Sequence, residues 1–488
     1  MRSVALAILV SPVFAQVYEA GGYRFNLAPY TRGDVSNFTV FDVEAAPDPA
    51  RGACVASPSY FFETCKAAGT ADFPERESAG VVRPVYSRWR DDNSDGSFYL
   101  VGKGSETPPE SGRGQSVIYR SLDHSVFRIL DDVPSHEAHE FRWDYSGKHP
   151  LRMYHVDDAC GFHRYDVAPD GRSATNTLLH DFARDFPGCG RILNDVEGDS
   201  SADSRYWAFM VTGPYGEAGC EEGSRLKAVI VYDLAADRIV GTLDRSRFAA
   251  LGGQTSQWDA CGFRPNMADI SPLGTAVVLL WSRNDRLDPF DGPHAYPLDF
   301  STPGVRVCND ETHSGWAFDE DGSEMFVCQV DNVNWPGREA DTIAATNIRT
   351  GETRTLFYHA DVGFETGWHF GRFYNSDIRG WVYVSSYSET ASSSSFLRGH
   401  AFMLELKSWE KHPRIWRIAD LRNNYREEAE DAYEREAFSP LSGDGQTIRW
   451  GADWITDAGG SNPRITSTGV VNTYEVKLPP GWWKLLKN

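Results

Sequence analysis

Short apolar runs alternate with clusters of Gly, Asp, Asn and Ser along nearly the whole chain, the pattern of strands joined by tight turns. One unit recurs: an aromatic or small residue, a D/S-x-x-G-like turn, then a strongly apolar strand. It appears at Arg88–Val101, Phe141–His155, Ser200–Val211, Ile270–Trp281, Trp316–Val327, Arg372–Ser385 and Phe438–Trp450, seven copies in all. The copies are spaced roughly 50 to 70 residues apart, a repeat length that implies stacked units rather than one irregular sheet. Outer hairpins follow, as in Lys227–Asp233 with Arg238–Leu243, and Thr342–Ile348 with Thr353–Phe357.

A four-stranded blade cannot bury both its faces alone, whereas seven in a ring share one continuous core. The chain is therefore expected to be all-β, a seven-bladed β-propeller with four-stranded antiparallel blades around a central channel. Two or three separate sandwiches would leave the regular spacing unexplained. The expected organisation is a signal peptide over 1–15, an N-terminal arm over 16–82 that closes the ring, and the propeller over 83–488. The clearest helical candidate is the charged stretch Tyr425–Ala437, read as a solvated helix or loop.

The leader expectation rests on Arg2, the apolar run Val4–Phe14 and the small residue Ala15, after which cleavage is expected. That run is shorter than the ~20 apolar residues of a membrane span. Export changes how the eight cysteines read, because an even number in an oxidising compartment suggests disulfides. Neighbour pairing gives Cys54–Cys65, Cys160–Cys189 and Cys220–Cys261. Asn37-Phe38-Thr39 is a glycosylation sequon, relevant where the host modifies secreted proteins.

The formal net charge is −21, with the acidic residues spread along the chain. Nucleic acid and membrane are thereby excluded as expected partners, while an anionic polysaccharide met by a local Arg/His cluster is not. A monomer is expected. The 15 Trp, 21 Tyr and 27 Phe suit both strands and a cleft in which rings stack on sugars.

Reactive side chains gather at strand starts and second-strand ends. Blade 2 offers His136, His139, Arg142 and Trp143, with His155 across the hairpin; blade 3 offers Asp195, Glu197, Asp199, Tyr215 and Arg225; blade 4 offers Arg264 and Arg283. Blades 5 and 6 each open an innermost strand with a histidine, His313 and His369, and Cys308 and Cys328 flank the first. Thiolates and imidazoles in one shell are zinc ligands by type, so Cys308, His313, Cys328 and His369 form a candidate tetrahedral site bracing two blades. The expected cofactor is a divalent metal, structural Zn2+ first, with Ca2+ or Mn2+ also compatible. A Cys308–Cys328 disulfide with two channel histidines is the competing reading.

Leader, seven blades, His/Tyr/Arg cluster and inward histidines beside a cysteine together resemble the seven-bladed propeller polysaccharide lyases, of the ulvan-lyase and oligogalacturonate-lyase types. The resemblance implies β-elimination on a uronic-acid polymer, ulvan-like first, and an interior metal ion. The oligogalacturonate branch implies a metal cluster of His and Gln, for which Gln329 is the nearby glutamine. Such chemistry needs a cation beside the uronate carboxylate to stabilise the enolate-like intermediate, a base for the C5 proton and an acid for the leaving O4. His139 and His155 are assigned as base and orienting partner, Tyr215 as acid and Arg264 as the carboxylate's cation. Arg142, Arg225, Arg283 and Trp143 are assigned to substrate binding. Two other classes stay open: a glycoside hydrolase using carboxylates among Asp195, Glu197 and Asp199, and a non-catalytic binding propeller.

Overall fold

The recurring turn decides the architecture. In the computed structural model each repeat folds as the inner edge of a four-stranded antiparallel blade, and the seven blades form a β-propeller. The structure describes residues 17–41, 44–57, 59–73, 80–103, 115–132, 141–157, 159–194, 197–284, 288–310, 313–331, 339–363, 366–388, 395–426, 433–457 and 466–487. The leader, His136, His139 and Asp195 lie outside these. Of the helical candidate Tyr425–Ala437, the described part contains a single 3-10 turn, Tyr433–Arg435.

In blades 1, 3, 4, 5, 6 and 7 the repeat's turn closes through a backbone bond from its fourth residue to its first, as in Gly274 N to Ser271 O at 2.8 Å and Gly445 N to Ser442 O at 2.8 Å. The fourth position is left-handed in blades 1, 3, 4, 5 and 7, φ 67° at Gly274 and 69° at Gly445, which favours glycine, whereas blade 6 places Ile378 there without a positive φ. Blade 3 places Ser204 there at φ 57°, which is why its copy lacks the glycine. A hydroxyl at the first position finishes the turn: Ser271 Oγ accepts from Thr275 N and Ala276 N, and Ser442 Oγ from Thr447 N.

Blade 1 is built from Val82–Pro84, Phe98–Lys103, Gln115–Arg120 and Val126–Ile129; blade 2 from Arg142–Trp143, Arg152–Val156, Gly161–Val167 and Ala174–Asp181. Blade 3 comprises Arg191–Leu193, Tyr206–Thr212, Leu226–Asp233 and Arg238–Asp244, and blade 4 Ala268–Ile270, Ala276–Leu280, Pro293–Pro297 and Val305–Arg306. Blade 5 comprises Ser314–Phe318, Glu324–Val330, Thr342–Asn347 and Thr353–Tyr358, and blade 6 Gly367–Phe370, Trp381–Tyr387, His400–Glu405 and Arg414–Asp420. The N-terminal strands Tyr23–Pro29 and Val17–Ala20 extend blade 6 outward.

Blade 7 joins both ends of the chain. Thr447–Ala452 and Asn472–Lys477 pair with Glu63–Ala68 and then Cys54–Ala56, while Leu441 bridges Ile448 on the inner side. A ring whose last blade is completed by early strands cannot open without breaking a sheet. The three neighbour disulfides form as expected, and Cys308–Cys328 forms as well.

Along the channel the innermost strands meet in a buried polar hub. Asp269 of blade 4 accepts from Arg88 of blade 1 at 2.9 Å, Arg372 of blade 6 at 2.7 Å, Trp316 of blade 5 at 2.6 Å and the Asp199 amide of blade 3 at 2.9 Å. Asp199 in turn accepts from Tyr374 and, at 3.2 Å, from Tyr145 of blade 2. The carboxylates and guanidiniums are almost wholly removed from water, so their desolvation is offset by reciprocal pairing.

Breaking one partner of such a network strands the others. Asp269→Ala is expected to lower the unfolding free energy by about 3–5 kcal/mol, read from urea unfolding; a change below about 1 kcal/mol would show that the hub is dispensable.

A second electrostatic tie joins blades 2 and 3 at their outer edge. His180 Nε2 meets Asp185 at 2.7 Å and its Nδ1 meets Asp237 at 2.9 Å. Burial alone disfavours the imidazolium, but the two carboxylates outweigh it and raise the His180 pKa. A raised folded-state value means the stabilisation is full below the ordinary histidine range and is lost as pH rises through the folded-state pKa. His180→Gln should therefore lower the melting temperature more at pH ~5 than at pH ~9, on either side of the ordinary histidine range. Equal losses at both would remove the charged pairing as the cause.

Candidate metal centre at the channel mouth

Innermost strands of a propeller begin at one face, so the residues just before them ring the channel there. His313 immediately precedes Ser314–Phe318, and its carbonyl accepts from Gln329 N at 2.9 Å. His369 lies within Gly367–Phe370, opposite Ser385 of the next strand. Glu436 enters from the segment leading into blade 7. Ligand atoms of His313, His369 and Glu436 all lie within 4.8 Å of one another. The two imidazole rings are 4.4 Å apart, and His369 Nε2 meets Glu436 Oε2 at 2.9 Å.

An aromatic wall encloses His369: Phe438 at 4.6 Å, Tyr387 stacked at 5.0 Å and Tyr86 edge-on at 5.7 Å. Burial and, after it, the neighbouring His369 push His313 down to about 4, so its imidazole is neutral at pH 7, the form that ligates metal. Burial first, then Glu436, raises the Tyr387 phenol, while burial followed by Glu197 raises Tyr86; both keep their protons. Across the mouth stands Glu197 of blade 3, mostly buried but with an open edge. Arg88 Nη1 holds it at 3.4 Å while donating to Ser314 Oγ, beside His313, at 2.9 Å.

The expected four-ligand site is corrected. Cys308 and Cys328 are bonded to each other and buried, so neither sulfur is a thiolate. Cys328 lies opposite Ser314 in the ladder, which brings it against the strand leading from Cys308. The two histidines stay together, and their third partner is a carboxylate. Gln329 turns its amide to Asp331 at 2.6 Å.

The blade 2 to blade 4 assignments divide. Arg142 and Trp143, expected on the substrate, are each 1% exposed. Arg142 lies 3.0 Å over the Trp89 ring and donates to Gly198 O at 2.8 Å, while Trp143 Nε1 donates to Asp91 O at 2.8 Å; both are core groups. His155 is also buried, bonded to Asn176 at 3.0 Å and stacked 4.9 Å from His163. Tyr215 stands 77% exposed after the second strand of blade 3. Near it Arg225 donates to the carbonyls of Ala218 at 3.1 Å and Gly219 at 2.7 Å. Arg264 is half-buried and Arg283 exposed, both in blade 4. Asp199 belongs to the hub, which leaves Glu197 as the described carboxylate of its trio that faces the mouth.

Glu436, Tyr86 and Tyr387 were not expected at the site. A signal for the first two exists in the repeat: Tyr86, Glu197, His313, His369 and Glu436 each fall two or three residues before a copy begins.

No protein-family model matches the sequence, and no curated protein matches it either. Among solved structures the chain is similar to an oligogalacturonate lyase in complex with manganese, at TM-score 0.51 and 11% identity over 89% of this chain and 100% of that one. It is similar also to an oligogalacturonate lyase from Vibrio parahaemolyticus, at TM-score 0.51 and 9% identity over 88% of this chain and 99% of that one. At such identities the likeness is one of fold, and it establishes the seven-bladed propeller.

Proposed function

We propose that this chain is a secreted polysaccharide lyase that cleaves a uronic-acid-containing polysaccharide, ulvan-like first, by metal-assisted β-elimination at the channel mouth. The observation that carries the reading is the convergence of His313, His369 and Glu436, from three different blades, on a space the size of one ion. Two imidazoles and a carboxylate form a donor set that suits Zn2+ or Mn2+, and three ligands leave positions open, as a working rather than a closed site requires. The manganese complex among the fold neighbours supports a divalent ion in a propeller of this kind. Four disulfides support an oxidising compartment. Among the described residues no helix is long and apolar enough to cross a membrane.

A divalent ion held by these three side chains supplies the Lewis-acid charge that a uronate carboxylate needs before its C5 proton becomes acidic. The chain's own groups do the rest. Glu197, steadied by Arg88 and facing His313, accepts the C5 proton. The C5–H electron pair becomes the C4=C5 double bond, and the C4–O4 bond breaks. Tyr387, kept protonated by its burial, gives its proton to the departing O4. The phenol of Tyr86 holds Glu197 from the other side. Tyr215 and Arg264, on the rim of blades 3 and 4, are left to contact sugars beyond the reacting unit.

Purified protein incubated with ulvan, pectin fragments, glucuronan and alginate should generate the ultraviolet absorbance of an unsaturated uronate on one of them. Glu197→Gln is expected to reduce that rate about 10²–10⁴-fold with little change in KM. New reducing ends without the absorbance would turn the reading to hydrolysis. Neither signal would turn it to a binding propeller.

Metal dependence has its own readout. Chelated protein given Mn2+ or Zn2+ at 100 times Kd should gain about 2.7 kcal/mol of stability, seen as a rise in melting temperature. His313→Ala and Glu436→Ala should lose that rise, and a rise that persists in both would place the ion elsewhere.

A further inference from the structure

The three ligands are held in unequal ways. His369 sits in a strand whose neighbours Trp368 and Phe370 both pair with the second strand of blade 6. Glu436 is fixed between Tyr433 O, which accepts its amide at 3.2 Å, and Phe438 N, which donates to its carbonyl at 2.6 Å. His313 comes at the end of a crossover from blade 4 to blade 5, just before the strand ladder begins at Ser314.

Two devices grip that crossover upstream. Cys308 is bonded to Cys328, which stands directly opposite Ser314, and the next residue, Gln329, donates its amide to His313 O. Arg306, buried at the end of blade 4, spreads its guanidinium over the same segment, with Nε donating to Cys308 O at 3.0 Å and Nη2 to Asn309 O at 2.6 Å. The bridge reaches His313 through Cys328, whose ladder partner Ser314 follows His313 and whose next residue, Gln329, donates to the His313 carbonyl, while the guanidinium holds Cys308 at the other end.

We propose that the Cys308–Cys328 disulfide and Arg306 form a positioning clamp for His313, so that this one disulfide sets the divalent-ion affinity of the site. The inference rests on the metal centre proposed above. The structural logic is that of outer-shell partners, whose loss typically weakens a metal site about 10–100-fold. The other disulfides brace sheets and loops elsewhere: Cys54–Cys65 lies in the outer strands of blade 7.

The test is calorimetric titration of Mn2+ into the chelator-treated full chain. Cys308→Ser/Cys328→Ser is expected to bind Mn2+ about 10–100-fold more weakly than wild type. Cys54→Ser/Cys65→Ser loses a disulfide but should keep the wild-type Kd, which separates positioning from general loss of stability. Arg306→Gln keeps the bridge and frees the two carbonyls; it should weaken Mn2+ binding in the same direction, and it decides the matter if the double serine variant is not recovered folded. Wild-type affinity in Cys308→Ser/Cys328→Ser, or in Arg306→Gln where that variant has to decide, overturns the clamp. Equal weakening in Cys54→Ser/Cys65→Ser overturns it too. A wild-type chain that takes up no Mn2+ overturns the metal centre itself, a result distinct from a centre that binds but ignores the clamp.

Discussion

Asp269 sits where seven innermost strands converge, and it is fully buried. A carboxylate in that position would be prohibitive without compensation, since effective desolvation costs several kcal/mol per ion. Compensation comes from the blades themselves: a guanidinium from blade 1, another from blade 6, an indole N–H from blade 5 and a backbone amide from blade 3. No two of these donors come from the same blade. The hub is satisfied only when blades 1, 3, 5 and 6 all stand around Asp269. A small set of charges thereby ties together blades far apart in the chain, while blade 7 closes the ring by pairing with the N-terminal strands.

The candidate metal centre follows from the same geometry. Asp269 and Trp316 of the hub lie in innermost strands, and the residues two or three positions before Arg88, Asp199, Trp316 and Arg372 stand at the mouth. Arg88 spans both levels: one arm reaches Asp269 in the hub while the other reaches Glu197 and Ser314 at the mouth. A rigid floor of paired charges is what allows three ligands from three blades to converge, because their relative positions depend on the ring and not on one hairpin.

Sequence reading carried the fold well, and for a specific reason. The D/S-x-x-G turn recurs because the fourth residue is left-handed at most of the inner hairpins, blade 6 with Ile378 excepted, so the motif is repeated largely by backbone geometry. It carried the site less well. His313 and His369 were legible as histidines opening inner strands. Cys308 and Cys328 were legible as a reactive pair, but composition cannot separate two thiolates around a metal from two sulfurs bonded to each other; the ladder position of Cys328 opposite Ser314 makes that choice. Glu436 was hidden in a charged stretch, Glu428 to Glu436, whose density of carboxylates reads as a solvated surface. Arg142 failed in the opposite sense. A cation beside a tryptophan looks like a sugar-binding pair, while burial turns it into a stacking partner for Trp89. Register within the repeat would have helped in both cases, because it separates the residues above the hub from those within it.

That separation also bears on how an acidic protein would take an acidic substrate. A net charge of −21 is spread over the whole surface, and at physiological salt charges farther apart than about 8 Å are largely screened. What a uronate would meet at the mouth under the proposed reading is local: Glu197 and Glu436 with the imidazoles of His313 and His369. Under that reading such a site would repel a carboxylate without an ion, and a divalent ion held there would place positive charge where the substrate's negative charge must grow. The carboxylates that would repel a polyanion are thus the groups that would hold the cation, and under the proposed reading substrate affinity would be conditional on metal occupancy. A propeller that bound a polysaccharide through surface arginines would have no such dependence, which is why the closeness of Glu436 to His313 and His369 bears on the proposed function more than the overall charge does.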